Sequence, residues 1–293
     1  MPAPAPTFDL QSHSLHSDGA LSAQAVVAAA AQAGVELLSL TDHDSVDGVA
    51  EAAAKAERVG IRLVSGVEIS ALDVDGRDLH ILGYLIDAGD ERLRLRLKEY
   101  RADRRRRAQR MAAALRELGF ELDSTVLEQR AAKGKSIGRP HLAQAVVSHT
   151  ANAERLAGEG VSEPSAFLEA YLAEGRPAFR PREAPDVQAA IEAIHEAGGV
   201  AVWAHPFWDV DAAQDVLAAI GRFRAGGMDG VECFYATHTR EQTVLLADLC
   251  AAEGLLSTGS SDFHGPDHRS FSRFRAFSTF GRTPALGPIA RIN

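Results

Sequence analysis

Short apolar, strand-like segments alternate with helical segments over most of this 293-residue chain, and this alternation constrains the fold more than any other feature. The first 88 residues follow a strand–helix–strand–helix–strand order, and LHILGYLI adds another strand. The alternation returns near residue 185 with the strand-like segments VAVWAHP, GVECFY and LLSTGSS. Strands separated by helices of this length predict parallel strands joined by crossover helices. The sequence therefore predicts an α/β fold.

The segment between these two regions has no strand pattern. It contains one long charged helical run, two shorter helical runs and turn residues at GKSIGRP and GRPAFRPREAP. We expect residues 1–89 and 181–293 to form a distorted, seven-stranded β/α barrel resembling a TIM barrel. We expect residues 90–180 to be a helical subdomain inserted as a lid over the carboxyl ends of the strands. Ser22 and Ser45 are predicted N-caps, and Gly34 and Gly60 are predicted helix stops.

Composition narrows the class of protein. Hydrophobic residues make up 46% of the chain and charged residues 24%, with a net charge of −9, which argues against general affinity for nucleic acid. Cys233 and Cys250 have no spacing that suggests a thiolate site or a disulfide framework, and we expect both to be buried thiols. No run is long enough to span a bilayer and the first residues do not resemble a leader, so we expect a cytoplasmic protein without a membrane partner.

Eight residues with metal-ligand side chains are spread along the chain, and most follow strand-like runs. They are His13, Asp18, His43, Glu68, His80, His205, Asp262 and His264. Reacting groups of such barrels lie at the carboxyl ends of the strands, so residues that close the strands should meet there. Imidazole and carboxylate ligands without thiolates suit Zn, Mn or Fe. This pattern predicts a site for several metal ions.

Six segments, in this order, resemble the polymerase and histidinol phosphatase (PHP) family of metal-dependent phosphoesterases over nearly the whole chain. They are DLQSHSLHSDG, TDHD, VSGVEIS, LHILGY, AHP and GSSDFHG. The resemblance implies two to three divalent ions (Mn, Zn or Fe) and a metal-activated hydroxide that attacks a phosphomonoester. The ligand sets that it implies are His13, Glu68 and Asp262; Glu68, His80 and His205; and Asp18, His43 and His264. Of these residues, the resemblance assigns His43, Asp262 and His264 to catalysis as well.

One position departs from the family pattern, because Gln11 stands where the family usually has a histidine. An amide oxygen is a weaker ligand than imidazole, so direct ligation would leave the ion shared by His13, Glu68 and Asp262 loosely bound. The alternative is that Gln11 only donates a hydrogen bond behind the ligands. The sequence leaves both alternatives open.

Other residues are candidates for substrate contact or for orienting ligands. SIGRPHLAQ resembles a segment that family members acting on nucleoside phosphates place near the phosphate, which assigns Arg139 as a phosphate clamp and His141 as a donor. The alternative is that Arg139 and Pro140 merely begin a helix. His238 either contacts phosphate or contacts backbone at a helix start. Asp42 and Asp44 are expected to orient His43 by hydrogen bonds.

The resemblance implies hydrolysis of nucleotide phosphomonoesters, of the AMP or 3′,5′-bisphosphonucleotide type, with short single-stranded RNA 5′ ends as a further substrate. A histidinol-phosphate phosphatase and a non-catalytic metal-binding module are the alternatives. Residues 92–110 carry nine arginines and one lysine but only one aromatic residue, Tyr100, so a base-stacking surface is poorly supported there. We therefore expect a small phosphate ester as the partner and no duplex nucleic acid.

Overall fold

The computed structural model describes residues 6–125, 127–128, 137–181 and 185–291. The chain divides into two compact units. We call Met1–Lys98 with Pro185–Asn293 the barrel unit, and Glu99–Ala184 the helical unit. Each has its own apolar core, and the two are described separately.

Seven strands form the barrel unit's single sheet, and they neighbour one another in chain order. They are β1 (Phe8–Asp9), β2 (Leu37–Leu40), β3 (Arg62–Leu72), β4 (Asp78–Tyr84), β5 (Val200–Trp203), β6 (Gly230–Tyr235) and β7 (Leu256–Ser260). The sheet curls until its first and last strands meet, where the Leu10 amide donates to the Gly259 carbonyl at 3.2 Å and the His13 amide to the Phe263 carbonyl at 2.8 Å. The barrel is therefore nearly closed, and the predicted seven-stranded fold is confirmed.

The expectation of parallel strands throughout is wrong for β4, which runs antiparallel to both β3 and β5. A tight turn joins β3 to β4, with the Asp73 amide donating to the Arg77 carbonyl at 2.9 Å and Gly76 in the left-handed region at φ 83°. A connection this short permits only antiparallel pairing. In the resulting register His80 pairs with Ser70, two residues along β3 from Glu68, so His80 and Glu68 share a face of the sheet.

The helices of the described residues follow in chain order. They are α1 (Ala23–Gln32), α2 (Val49–Val59), α3 (Glu91–Glu117), α4 (Arg139–Val147), α5 (Ala153–Glu159), α6 (Pro164–Phe167), α7 (Val187–Glu196), α8 (Pro206–Asp209), α9 (Ala213–Ala225) and α10 (Arg240–Glu253). A π-helical turn, Leu168–Leu172, continues α6, and short 3-10 turns lie at Thr150–Asn152 and Gly287–Arg291. Among the described helices, none combines the length and apolarity that crossing a membrane requires.

The predicted helix ends agree with the structure at all but one position. The Ser22 hydroxyl accepts from the Ala25 amide, and Gly34 and Gly60 adopt the left-handed conformation beyond α1 and α2. The prediction for Ser45 is wrong, because α2 begins only after Gly48 and the Ser45 hydroxyl instead accepts from the Asp47 amide.

Each unit is held by its own core. In the barrel unit, α1 and α2 bury alanine and valine side chains such as Val26 and Ala52 against Leu38 of β2. In the helical unit, α3 to α6 enclose a buried cluster in which the Phe120 ring meets the Phe167 ring edge-on, 5.1 Å between centroids. Cys233 and Cys250 are buried free thiols with their sulfurs 3.6 Å apart, as predicted.

Candidate metal centre

The structure brings all eight predicted ligand residues together at one end of the barrel unit. Their ligand atoms gather in sets within 4.8 Å of one another: His13, Asp18, His43 and His264; His43, Glu68 and His80; and His13, Glu68 and Asp262. His205 joins them because its Nε2 lies 3.2 Å from Glu68 Oε1 and 3.3 Å from His80 Nδ1. Strand order explains most of the convergence, since ligands that follow parallel strands project from the same edge of the sheet. Glu68 and His80 instead lie within β3 and the antiparallel β4, on a shared face near that edge.

Glu68 lies at the centre of the cluster. Its Oε1 is 2.8 Å from His80 Nδ1, and its Oε2 is 3.1 Å from His13 Nε2 and 3.5 Å from His43 Nδ1. With His205, four imidazoles face one carboxylate that is itself fully buried. A carboxylate with both oxygens directed at different imidazole groups is suited to bridging two cations.

Asp262 and His264 are held in position from behind. The Tyr235 hydroxyl donates to Asp262 Oδ2 at 2.8 Å, which leaves Oδ1 facing His13 Nε2 at 3.0 Å. His264 Nδ1 lies 2.7 Å from the Asp262 carbonyl oxygen, a contact in which only the imidazole can donate. When the His264 ring is neutral, Nε2 is therefore its lone-pair nitrogen, 3.6 Å from Asp18.

Four ligand atoms at the centre are buried and have no hydrogen-bond partner among the described residues. They are His13 Nε2, His43 Nδ1, Glu68 Oε2 and Asp262 Oδ1. Pairs of these atoms lie 3.0 to 3.5 Å apart. Because buried polar atoms are almost always satisfied, a convergence of imidazole and carboxylate groups like this one is suited to holding cations. The donor set of imidazole nitrogens and carboxylate oxygens fits divalent Zn, Mn or Fe.

The ionisation of the ligands also fits metal binding. Burial lowers the pKa of His43 to about 4, so this imidazole is neutral at physiological pH, as a metal ligand must be. Burial opposes the ionisation of Asp262, but the neighbouring charges of His264 and His13 outweigh it and lower the pKa of this carboxyl to about 2. Burial also opposes protonation of His13, but Asp262 and Glu68 hold its pKa well above the usual value. Without metal, a proton on His13 thus offsets the two carboxylates, and metal would displace it.

Three residues at the centre adopt strained backbone conformations. Asp44, His205 and Asp262 have φ angles of 50°, 29° and 53°, in a region that residues with a Cβ rarely occupy. Such strain costs about 1–3 kcal/mol per residue and persists only where the surroundings enforce it. Two hydrogen bonds hold the strained backbone conformation of Asp44. Its carboxylate accepts from the Ser70 amide at 3.0 Å, and its own amide donates to the Glu68 carbonyl.

Sequence reasoning missed Glu232, a fully buried carboxyl in the middle of β6. Its Oε2 accepts from the strained His205 amide at 2.9 Å, and its Oε1 accepts from the Ser260 hydroxyl at 2.6 Å. Burial raises the pKa of Glu232 to about 8. The signal was present in GVECFY, since an acidic residue inside an apolar strand needs hydrogen-bond partners.

Asp209 was also missed. Its Oδ2 lies 3.5 Å from His205 Nδ1, four residues earlier in the chain, and faces the ring nitrogen opposite the one directed at Glu68. The two atoms are within ion-pair distance but do not form a hydrogen bond, so Asp209 acts on the His205 ring through its charge.

Asp42 has a different role from the predicted one. Its carboxylate accepts from the Ser14 amide and hydroxyl, both at 2.7 Å, and from the Ser17 hydroxyl at 2.6 Å. Ser17 Oγ in turn lies 3.5 Å from His13 Nδ1. Asp42 therefore fixes the loop that carries His13, and none of these hydrogen bonds orients His43.

Gln11 is completely buried beside the centre. Its Oε1 lies 3.4 Å from the Ser260 hydroxyl, and its Nε2 has no partner among the described residues. The two ends of an amide are assigned from their hydrogen bonds, and exchanging them here would turn Nε2 toward Ser260 and free the oxygen. Ligation and hydrogen bonding thus both remain open for this residue.

The predicted substrate residues lie in different parts of the molecule. Arg139 and Pro140 begin α4 of the helical unit, where His141 Nδ1 accepts from the Gly138 amide at 3.1 Å, as the helix-start alternative anticipates. His238 lies in the barrel unit with Nδ1 3.1 Å from the Cys233 carbonyl oxygen, so one nitrogen contacts backbone. Its buried Nε2 has no partner among the described residues, and burial lowers the pKa of this imidazole to about 4. Phosphate contact by these residues stays a prediction.

Comparison with known proteins agrees with this centre. The PHP domain family matches residues 9–155. A 5′-3′ exoribonuclease from Haemophilus influenzae is 34% identical over 259 residues, covering 88% of this chain and 90% of the relative. A 3′,5′-nucleoside bisphosphate phosphatase from Chromobacterium violaceum is 32% identical over 285 residues, covering 97% of this chain and 94% of the relative.

A solved structure shares the whole fold. It is an amidohydrolase from Chromobacterium violaceum, with bound sulfate and no metal, and it superposes with a TM-score of 0.76 at 31% identity. The match covers 97% of this chain and 93% of that chain, so it includes both units.

Proposed function

The chain belongs to the PHP family and is a metal-dependent phosphoesterase, and from this premise we propose that it hydrolyses phosphomonoesters of nucleotides. The observation that carries the proposal is the convergence of eight imidazole and carboxylate side chains around the buried Glu68 carboxylate. The substrate class is supported by the relatives, one named for a nucleoside bisphosphate and another for RNA. Short single-stranded RNA with a 5′ phosphate is the second substrate that we propose.

We propose that the centre holds two to three Mn, Zn or Fe ions in the ligand sets described above. Bound there, such ions would supply an acidified water as nucleophile and positive charge for the phosphate oxygens. Phosphoryl transfer places negative charge on those oxygens, so electrostatic stabilisation is the main catalytic contribution.

The exposure and the fixed orientation of side chains at the centre support this chemistry. The side chains of Asp18 and His80 are 32% and 26% exposed, whereas Glu68 and His13 are almost inaccessible, so substrate approaches from the Asp18 and His80 side. We assign His43, Asp262 and His264 to catalysis, because Tyr235 and the Asp262 carbonyl hold two of them in fixed orientations.

We further propose that Arg139, His141 and His238 contact the substrate phosphate. A guanidinium clamps phosphate through two parallel hydrogen bonds. In neutral His238, Nδ1 donates to the Cys233 carbonyl oxygen, so Nε2, which has no partner among the described residues, would accept a hydrogen bond from a protonated phosphate oxygen or a substrate hydroxyl.

The test is a phosphate-release screen beside elemental analysis of the purified protein. The substrates are AMP, a 3′,5′-bisphosphonucleotide, a short 5′-phosphorylated RNA and histidinol phosphate. We expect bound transition metal and faster turnover of the nucleotides than of histidinol phosphate. Preference for histidinol phosphate would replace the proposal with that alternative, and bound metal without any phosphate release would indicate a non-catalytic module.

A further inference from the structure

A large aromatic side chain is exposed next to the metal centre. Trp208 is 53% exposed although it lies only three residues after His205. Trp208 lies in the single turn α8, which His205 immediately precedes, and the Trp208 amide donates to the His205 carbonyl at 2.8 Å. The position of the indole is therefore tied to that of a proposed metal ligand.

Trp208 belongs to a continuous series of rings that starts at the centre. Its ring lies 5.5 Å from that of the buried Phe271, at an interplanar angle of 62°. The Phe271 ring lies 5.7 Å from the His264 ring and 5.8 Å from the ring of Tyr235, whose hydroxyl holds Asp262. We call Trp208 and Phe271 the aromatic rim.

The exposed indole has no structural task that the described contacts reveal. Tryptophan carries a large apolar surface that a folded protein normally covers, and its neighbour Phe207 does turn inward to meet His238, 5.6 Å between ring centroids. Phe271 supports Trp208 from one side, which leaves more than half of the Trp208 surface open to solvent. A rigid, supported aromatic surface beside a phosphate-hydrolysing centre is suited to stacking with a planar group of the substrate.

We propose that the exposed indole of Trp208, supported from behind by Phe271 in the aromatic rim, stacks against the base of the nucleoside phosphate whose phosphate is hydrolysed at the metal centre. This inference rests on the proposed function and deepens it, since it assigns base recognition to named residues. Every base has a π-face, so stacking on the rim favours nucleotides over sugar phosphates without selecting one base. The enzyme then accepts purine and pyrimidine nucleotides alike.

The experiment compares AMP with ribose 5-phosphate, which has the same sugar and phosphate but no base. Stacking contributes about 1–3 kcal/mol per base, so Trp208→Ala should lower kcat/KM for AMP about 5- to 100-fold, mainly through KM. The kcat/KM for ribose 5-phosphate should stay within about twofold. Trp208→Phe, which keeps a ring, should retain most of the AMP activity. Val74→Ala is the matched control, at a residue that is 87% exposed in the β3–β4 turn, and it should leave kcat/KM unchanged for both substrates.

A binding measurement separates this inference from the proposed function. The chain has two tryptophans, and Trp203 is buried, so adenosine should quench the fluorescence of the exposed Trp208 in the parent protein but not in Trp208→Ala. If AMP is not hydrolysed but adenosine still quenches, the proposed function fails and the stacking surface stands. An equal loss of kcat/KM for AMP and for ribose 5-phosphate in Trp208→Ala would overturn the aromatic rim as a base site. So would undiminished kcat/KM for AMP in Trp208→Ala together with no adenosine quenching in the parent protein.

Discussion

Replacing Glu232 tests whether a buried carboxyl behind the metal centre positions a proposed ligand. Glu232→Ala removes the acceptor of two buried donors, the His205 amide and the Ser260 hydroxyl. The Ser260 hydroxyl can still donate to Gln11 Oε1, 3.4 Å away, so the His205 amide is the donor left unsatisfied. An unsatisfied buried donor costs about 1–3 kcal/mol, and the free energy of unfolding should fall by that amount, out of the roughly 5–15 kcal/mol that stabilises an ordinary domain.

The same substitution should loosen metal binding. The Glu232 hydrogen bond is made to a residue whose φ of 29° is strained, and losing it lets the His205 backbone relax away from the ligand position. Loss of groups that orient a ligand typically costs about 10- to 100-fold in metal affinity. Glu232→Gln is the matched control, because the amide oxygen can still accept from the His205 amide. Ser260 can then accept from the new amide nitrogen and donate to Gln11 Oε1, 3.4 Å away.

Two measurements decide this prediction. Urea unfolding of the metal-free proteins gives the loss of stability, and metal content after dialysis gives the loss of affinity. We expect Glu232→Ala to be impaired in both and Glu232→Gln to stay within about 1 kcal/mol of the parent. A Glu232→Ala protein with parental stability and full metal content would refute the reasoning. If Glu232→Gln is as impaired as Glu232→Ala, accepting the two hydrogen bonds is not what Glu232 contributes, and the reasoning fails.

Three further predictions concern the candidate centre and the substrate contacts. Asp262→Ala and His205→Ala should each abolish phosphate release and lower metal content while the circular dichroism spectrum stays folded, since both residues face the centre; turnover within severalfold of the parent at full metal content would contradict this. Arg139→Ala should lower kcat/KM roughly ten- to a hundredfold with metal content unchanged, as expected for losing a charge-assisted contact, and unchanged kinetics would leave Arg139 only a helix start. If Gln11 weakens one position, the dialysed parent should keep two ions firmly and a third partially, and Gln11→His should tighten the third; three ions kept by the parent without a gain in the variant would show that the substitution is neutral.

Most of the fold could be predicted from the sequence because strands and helices are marked by local patterns of residues. Each strand is an apolar run bounded by turn residues, so all seven could be placed from the sequence. The direction of β4 was missed because alternation alone cannot distinguish a crossover from a hairpin. The Asp75–Gly76 pair between β3 and β4 is a hairpin signal that would have revealed the reversal.

Only part of the metal centre could be predicted from the sequence: the ligand residues, but not the residues that support them. Ligand residues such as His43 and Asp262 stand out because they follow apolar runs, whereas supporting residues are defined by partners far along the chain. Glu232 acts on His205, 27 residues before it, and Asp42 acts on Ser14, 28 residues before it. No local pattern encodes such pairs, so hydrogen bonds between separate strands and loops emerge only from the folded structure.

The meeting of the first and last strands gives the metal centre a mechanical role as well as a chemical one. Few backbone hydrogen bonds join β1 to β7, whereas β3 and β4 pair over seven positions. His13 follows one side of this seam and Asp262 the other, with their ligand atoms 3.0 Å apart. A cation bound by both residues would link two parts of the chain that are 249 residues apart in sequence. Metal binding at this position would therefore cross-link the first and last strands, which few backbone hydrogen bonds join among the described residues.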